Sequence, residues 1–168
     1  MKTTTLRFGS YSSATILVLF TISSLLMGTL SYTLQEVFGY ASIVLASSFV
    51  YFGIKHYRDE VNDNKLSFIE GLKLGVLIII LPSIAFGLFN VVYTEVINPE
   101  FMDNYYSSYA ERLRSSLSAE QFKLQLAKLE SEKELFQSPF AQFFFMGITV
   151  FFIGIIGTVI STLALKRK

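Results

Sequence analysis

The densest group of side chains that could do chemistry is the run from His56 to Glu60, which holds an imidazole, a guanidinium and two carboxylates. Histidine changes charge near neutral pH, so this run could form a pH-dependent docking site. A simpler interpretation is a solvated layer at the end of an apolar segment, where Arg58 meets lipid phosphates. The sequence favours the simpler interpretation. Asp59 and Asp63 could approach a divalent cation, but two carboxylates do not complete a ligand set.

A second set of polar residues, Glu70, Lys73 and Asn90, lies within or beside another apolar segment. Ionisable groups inside a membrane helix suggest a path for protons or ions, which makes these three residues candidates for such a path. The alternative is that Glu70 and Lys73 reach lipid headgroups from the end of a helix. Asn90 would then form a hydrogen bond between helices.

Enzymatic and cofactor chemistry finds little support in the composition. The chain has no cysteine and one histidine, which excludes disulfides, thiolate nucleophiles and any zinc site with two histidines. It contains no phosphate-binding loop, nucleophile elbow, dinucleotide fingerprint or zinc motif. We therefore predict no catalytic residue, no cofactor, no metal site and no enzymatic activity. The net charge of +1 gives no basic stripe for a nucleic acid.

The elements that position these residues are long and apolar. Residues 140–165 contain no charged side chain, and a helix of that length measures about 39 Å, whereas about 20 apolar residues cross a bilayer. Charged residues elsewhere collect at the two ends and in two connecting segments. We predict an all-α, polytopic membrane protein with four spans, at about 10–32, 37–55, 70–97 and 140–165.

The predicted boundaries rest on local signals. We read the basic start and the charge-free run after it as an uncleaved first helix, because the run is too long for a signal peptide. Residues 33–36 are expected to form a tight connection, and residues 55–66 a polar connector. Ser67 and Glu70 have the spacing of a capping box, which places the start of the third helix near Phe68.

The helical segment 98–138, between the third and fourth spans, is predicted to lie outside the cytoplasm. Apolar residues recur there every fourth position, which indicates an amphipathic helix, and Ser118 with Gln121 opens a second helix. The segment could lie on the lipid, cap the four helices or bind another protein. The candidate partner-binding residues are Phe101, Tyr105, Tyr109 and Leu113.

Small residues recur on the third and fourth spans at spacings that allow helices to approach closely in lipid. They could mediate dimerisation of two copies or packing within one chain, and we favour packing within the chain. The candidate packing residues are Gly71, Gly75, Gly147, Gly154, Gly157 and Ser161.

Basic residues also predict the orientation. The N-terminus, the connector 55–66 and the C-terminus carry Lys or Arg, whereas residues 33–36 carry none. The rule that positive loops stay inside then places both termini in the cytoplasm. The expected location is the cell (inner) membrane.

The order of these features resembles a known family. His56-Tyr57-Arg58-Asp59 closes the second span, Ser67-Phe68 and Gly75 follow, and a long helical segment precedes a glycine-bearing last span that ends in lysines. This layout is similar to a bacterial family of four-helix membrane proteins known only as a domain of unknown function. The sequence departs from it at residues 62–64, where a glycine would be expected. The resemblance implies the architecture and no activity.

The sequence thus predicts a non-enzymatic structural or accessory membrane protein that acts through protein–protein association. Its expected partners are the lipid bilayer and either another protein or further copies of itself. The alternative is a small oligomeric transporter or permeation unit for an ion or small solute.

Overall fold

The computed structural model describes residues 1–26 and 31–167. These residues form six α-helices and no strand longer than a single bridge. Two π-helical turns extend α2 and α3, at Tyr57–Val61 and Tyr93–Ile97. The helices are α1 (Lys2–Leu25), α2 (Tyr32–His56), α3 (Phe68–Val92), α4 (Phe101–Ser116), α5 (Ala119–Phe136) and α6 (Pro139–Leu165).

The prediction of an all-α chain with four apolar helices is confirmed. Within the described residues, four helices are long and apolar enough to cross a membrane. They cover Lys2–Leu25, Thr33–Val61, Phe68–Ile97 and Pro139–Leu165. By contacts the chain divides into two compact units, Met1–Phe86 with Met146–Lys168 and Gly87–Phe145.

In the first unit, α1 and α2 pack antiparallel through small side chains. The hydroxyl of Ser12 donates to the carbonyl of Ala46 at 2.8 Å, which satisfies a buried polar group without a charge. Near the start of α1, a side chain on Gly53 would meet Phe8 at 3.1 Å, so the two backbones approach closely there.

Also in the first unit, α3 and α6 pack antiparallel, and the contacts of Gly71, Gly75 and Gly154 repeat every four residues along each helix. A Cβ on Gly71 would lie 2.6 Å from Thr162, and a Cβ on Gly75 would lie 2.7 Å from the hydroxyl of Thr158. Further along, the side chain of Ile79 fills the space above Gly154. Gly147 lies against the carbonyl of Ser83, with 3.1 Å to the position of a Cβ.

Pro82 lies inside α3, where it leaves the carbonyl of Ile78 without its usual N–H partner. That carbonyl faces α1 at Gly9, where a Cβ would lie 3.1 Å from the oxygen. The close approach of α1 therefore covers a backbone oxygen that lipid could not satisfy. Gly9 of α1 thus covers the carbonyl that Pro82 leaves without a donor in α3.

The predicted connection at residues 33–36 was wrong. These residues form the first turns of α2, which begins at Tyr32 after Ser31 accepts a hydrogen bond from the amide of Leu34. The first helix also starts earlier than predicted, at Lys2, and ends at Leu25. Part of the predicted first span, residues 27–30, lies outside the described residues.

The polar connector is shorter than predicted, because the π-turn carries the second helix through Val61. The turn itself is at the predicted place: Asp63 and Asn64 have φ angles of 49° and 61°. Asn and Asp tolerate this left-handed conformation better than most residues, which explains a turn without glycine. The capping box at Ser67 is confirmed, because Glu70 accepts from the Ser67 amide and the Glu70 amide donates back to the serine hydroxyl.

The C-terminal residues return to this connector. The backbones of Leu66 and Arg167 exchange two hydrogen bonds, each of 2.9 Å. Phe8, near the start of α1, contacts His56 at the end of α2 with 5.5 Å between ring centroids. The N-terminus, the connector and the C-terminus therefore share one end of the first unit.

The second unit contains the antiparallel hairpin of α4 and α5. The hydrophobic core of the hairpin contains Tyr106 of α4 and Leu129 of α5, which are both buried. The ammonium of Lys133 pairs with the carboxylate of Asp103 at 2.6 Å. The second predicted capping box is confirmed at Ser118, which begins α5.

Candidate functional site

An aromatic ladder runs along one side of the second unit. We define it as Phe89, Tyr93, Phe101, Tyr105 and Tyr109, closed by Arg112. Successive ring centroids lie 6.2, 5.4, 6.1 and 6.4 Å apart. The guanidinium of Arg112 lies 5.3 Å from the Tyr109 centroid, which is cation–π distance. The ladder passes from α3 through its π-turn onto α4.

The predicted partner-binding residues belong to this ladder or extend it. Phe101, Tyr105 and Leu113 are half-buried, and Tyr109 is 37% exposed. Rings held by one another lose little freedom on binding, so such a face can recognise a partner at low entropic cost.

Tyr106 lies beside the ladder on α4, with 5.6 Å between its ring centroid and that of Tyr105. Tyr106 is only 8% exposed and packs within the hairpin. Burial raises the pKa of its phenol above 10.0, and the nearby Glu132 carboxylate adds to the effect. Tyr106 therefore serves the hairpin core, whereas Tyr109 of the ladder is exposed.

A polar node in the second unit was missed by the sequence analysis. Gln142 is 2% exposed, and its amide joins three backbone or side-chain groups. Its Nε2 donates to the carbonyl of Phe136 at 2.9 Å and to the carboxylate of Glu95 at 3.2 Å. Its Oε1 accepts from the hydroxyl of Thr94.

The three hydrogen bonds use the Nε2 donors and the Oε1 acceptor of Gln142, so the node ties the end of α3, the end of α5 and the start of α6 together. Thr94 and Glu95 lie on the π-turn Tyr93–Ile97, a helix distortion that is frequent at functional sites. The available sequence signal was a single amide within a phenylalanine-rich run, but two of its three partners, Thr94 and Glu95, are more than 40 residues away.

The three residues of the predicted ion path, Glu70, Lys73 and Asn90, differ in burial and in hydrogen-bond partners. The carboxylate of Glu70 accepts from the amide and the hydroxyl of Ser67, so the helix cap uses it. Lys73 is exposed on the same helix. Asn90 is half-buried, and its carbonyl oxygen lies 3.1 Å from the Thr94 hydroxyl oxygen.

Of the predicted packing residues, five are placed inside the chain and one is not. Gly71, Gly75, Gly147 and Gly154 lie at the α3–α6 contact described above, and Ser161 is buried. Gly157 has no atom within 4 Å of the position of a Cβ. The side chains beside it, Phe152, Ile156 and Ile160, are more than 60% exposed.

The group from His56 to Glu60 is largely bound within the chain. Arg58 donates to Asp59 at 2.5 Å and to the carbonyl of Leu165 at 3.3 Å. Lys55 lies 3.9 Å from the same carboxylate. Arg58 thus holds the end of α6 and is not a free contact for lipid phosphate. Among the described residues, no group of three or more His, Cys, Asp or Glu side chains could hold a metal ion.

Four long apolar helices, each able to cross a membrane by length and composition, and a helical hairpin characterise the described part of this small all-helical protein. Residues 7–167 match the family described as "Protein of unknown function (DUF4199)". The chain belongs to this family, which confirms the resemblance found in the sequence. No curated protein and no solved structure matches it.

Proposed function

We propose that this chain is a non-enzymatic accessory protein of the bacterial inner membrane that acts by binding another protein. The proposed contact is the face of α4 formed by Phe101, Tyr105, Tyr109 and Leu113. The observation that supports it most is the aromatic ladder, which is ordered by its own ring contacts and still presents Tyr109 to the surface.

Packing inside the chain also favours this face. Four of the glycines that could have joined two copies lie instead between α3 and α6. The remaining one, Gly157, lies among exposed apolar side chains that lipid can cover. Aromatic side chains are enriched where proteins bind one another, so the hairpin is the better candidate surface.

Association is tested by replacing Tyr105, Tyr109 and Leu113 with serine in one variant. We expect the extracted protein to lose a specific co-purifying protein and to fall in native mass by that partner's mass. Replacing Leu124 with serine is the matched control, because Leu124 is an exposed apolar residue of α5 and does not belong to the ladder. If the triple variant kept the same partner at the same stoichiometry, the proposal would be wrong.

We also propose that the four apolar helices cross the membrane and that both termini are cytoplasmic. The N-terminus, the connector and the C-terminus share one end of the first unit and are rich in basic residues, as positive-inside orientation requires. Segment 98–138 has more acidic than basic residues and is proposed to lie outside the cytoplasm.

Orientation can be measured cleanly because the chain has no cysteine. We expect an impermeant maleimide to label Ser131→Cys in intact cells whose outer membrane has been made permeable. Thr3→Cys should be labelled only after the inner membrane is opened. Both positions are exposed, so access is decided by the membrane. The reverse labelling pattern would refute the proposed orientation.

The permeation alternative has less support from the same residues. Glu70 is engaged by Ser67 and Lys73 is exposed, whereas a path for ions needs polar groups that face a shared cavity. Flux through vesicles that is abolished by Glu70→Gln in a folded protein would favour this alternative.

A further inference from the structure

The side chain of Arg7 lies beside aromatic rings and takes no part in the proposed partner surface. Its guanidinium lies 5.8 Å from the ring centroid of Phe8 and 5.9 Å from that of Tyr11, both on α1. Its Nε donates to the hydroxyl of Tyr11 at 3.3 Å. Cation–π contacts with two rings orient the group and restrict its motion. The four N–H groups on its two terminal nitrogens are not used by this hydrogen bond.

The contrast with Arg58 shows what is unusual about Arg7. Asp59 neutralises Arg58, and the carbonyl of Leu165 takes a further donor. No carboxylate among the described residues pairs with Arg7, and the residue is exposed. An oriented guanidinium without a counter-charge is suited to bind an anion with two parallel hydrogen bonds.

The neighbouring side chains favour a particular kind of anion. Phe8 contacts His56 on α2, and Tyr11 contacts Phe49 at 6.1 Å, so the seam between the two helices is aromatic below the guanidinium. Tyr11 is 45% exposed, which leaves apolar surface beside the charge. A phosphate that carries acyl chains can use this surface, and inorganic phosphate cannot.

We propose that Arg7, with Tyr11 and the adjacent seam of α1 and α2, binds the headgroup phosphate of an anionic phospholipid. The Lys and Arg residues at the basic end of the first unit attract anionic lipid in general. Arg7 adds to this attraction a fixed fork that recognises phosphate. The site is independent of the proposed partner surface on α4.

The proposal is tested by native mass spectrometry of the full chain in detergent, titrated with phosphatidylglycerol. We expect a discrete lipid adduct whose apparent affinity falls about tenfold in Arg7→Gln, as loss of one charge-assisted bidentate contact implies. Lys65→Gln is the matched control, because it removes the same charge from an exposed residue of the connector and should change the affinity less than twofold. Arg7→Lys should bind with intermediate affinity, because it keeps the charge and loses the fork.

Three results would overturn the proposal. Equal weakening by Arg7→Gln and Lys65→Gln would mean that lipid is held by the summed charge only. Equal adduct formation with phosphatidylcholine and phosphatidylglycerol would mean that the site does not select an anionic headgroup. Competition by millimolar inorganic phosphate would assign the site to free phosphate. If Arg7→Gln does not yield folded protein, the test compares the apparent lipid affinities of wild type, Arg7→Lys and Lys65→Gln. A weaker affinity in Arg7→Lys than in Lys65→Gln would then support the proposal, and equal affinities would overturn it.

Discussion

Gly154→Ala is expected to lower the free energy of unfolding by about 2 kcal/mol, the usual range for overpacking a buried contact. A methyl group on Gly154 would overlap the Ile79 side chain and lie 3.1 Å from its Cβ. Ile79 is fully buried and branched close to the backbone, so it cannot move aside cheaply. Unfolding of the detergent-solubilised protein by dodecyl sulfate, followed by circular dichroism, measures the effect.

The control for this prediction lies three residues further along the same helix. Gly157→Ala adds the same methyl group where nothing is within 4 Å, so we expect no loss of stability. Combining Gly154→Ala with Ile79→Ala removes the clash, and the double variant should lose clearly less than the sum of the single losses. Equal effects of Gly154→Ala and Gly157→Ala would contradict the packing of α6 against α3.

Gln142→Leu is expected to destabilise the second unit by about 2–3 kcal/mol, because it removes a buried amide that serves three partners. Leucine has a similar volume, so the loss would come from hydrogen bonding rather than from a cavity. The Thr94 hydroxyl can still bind the carbonyl of Asn90, but the carbonyl of Phe136 and the carboxylate of Glu95 lose a donor. Hydrogen exchange should accelerate at the junction between α5 and α6.

Gln125→Leu makes the same chemical change at an exposed position of α5 and should leave both stability and exchange unchanged. If Gln142→Leu proved as stable as wild type, the hydrogen bonds of Gln142 would not contribute to the stability of the second unit. Faster exchange throughout the chain would show that the effect is not local to the node.

Local signals predicted the elements well. Ser67 with Glu70 and Ser118 with Gln121 start helices where expected, because both partners of a capping box lie within one turn. Asn98-Pro99 ends a helix and Pro139 begins the last one, since proline lacks an N–H and fixes φ. The prediction failed at residues 33–36, where polarity was taken to mean a loop although a helix can continue beyond its apolar part.

The polar contacts were less accessible to prediction. Arg58 was expected at lipid phosphate, yet it pairs with Asp59 and reaches the carbonyl of Leu165, 107 residues away. Gln142 gave no sequence signal, because a lone amide in an apolar run does not reveal what it bonds to. The distant partners, Leu165 for Arg58 and Thr94 and Glu95 for Gln142, are brought near by the packing of the helices.

The sequence by itself determined that this is an all-helical membrane protein, where its long apolar helices lie, and which residues cap them. Hydropathy and capping are local properties, and the cost of burying charge in lipid leaves few alternatives. Only the tertiary structure decided that Gly154 is packed and Gly157 is not, and that Arg58 is paired with Asp59 whereas no carboxylate among the described residues pairs with Arg7. These differences depend on how each helix is rotated toward partners far away in the chain, which no local pattern records.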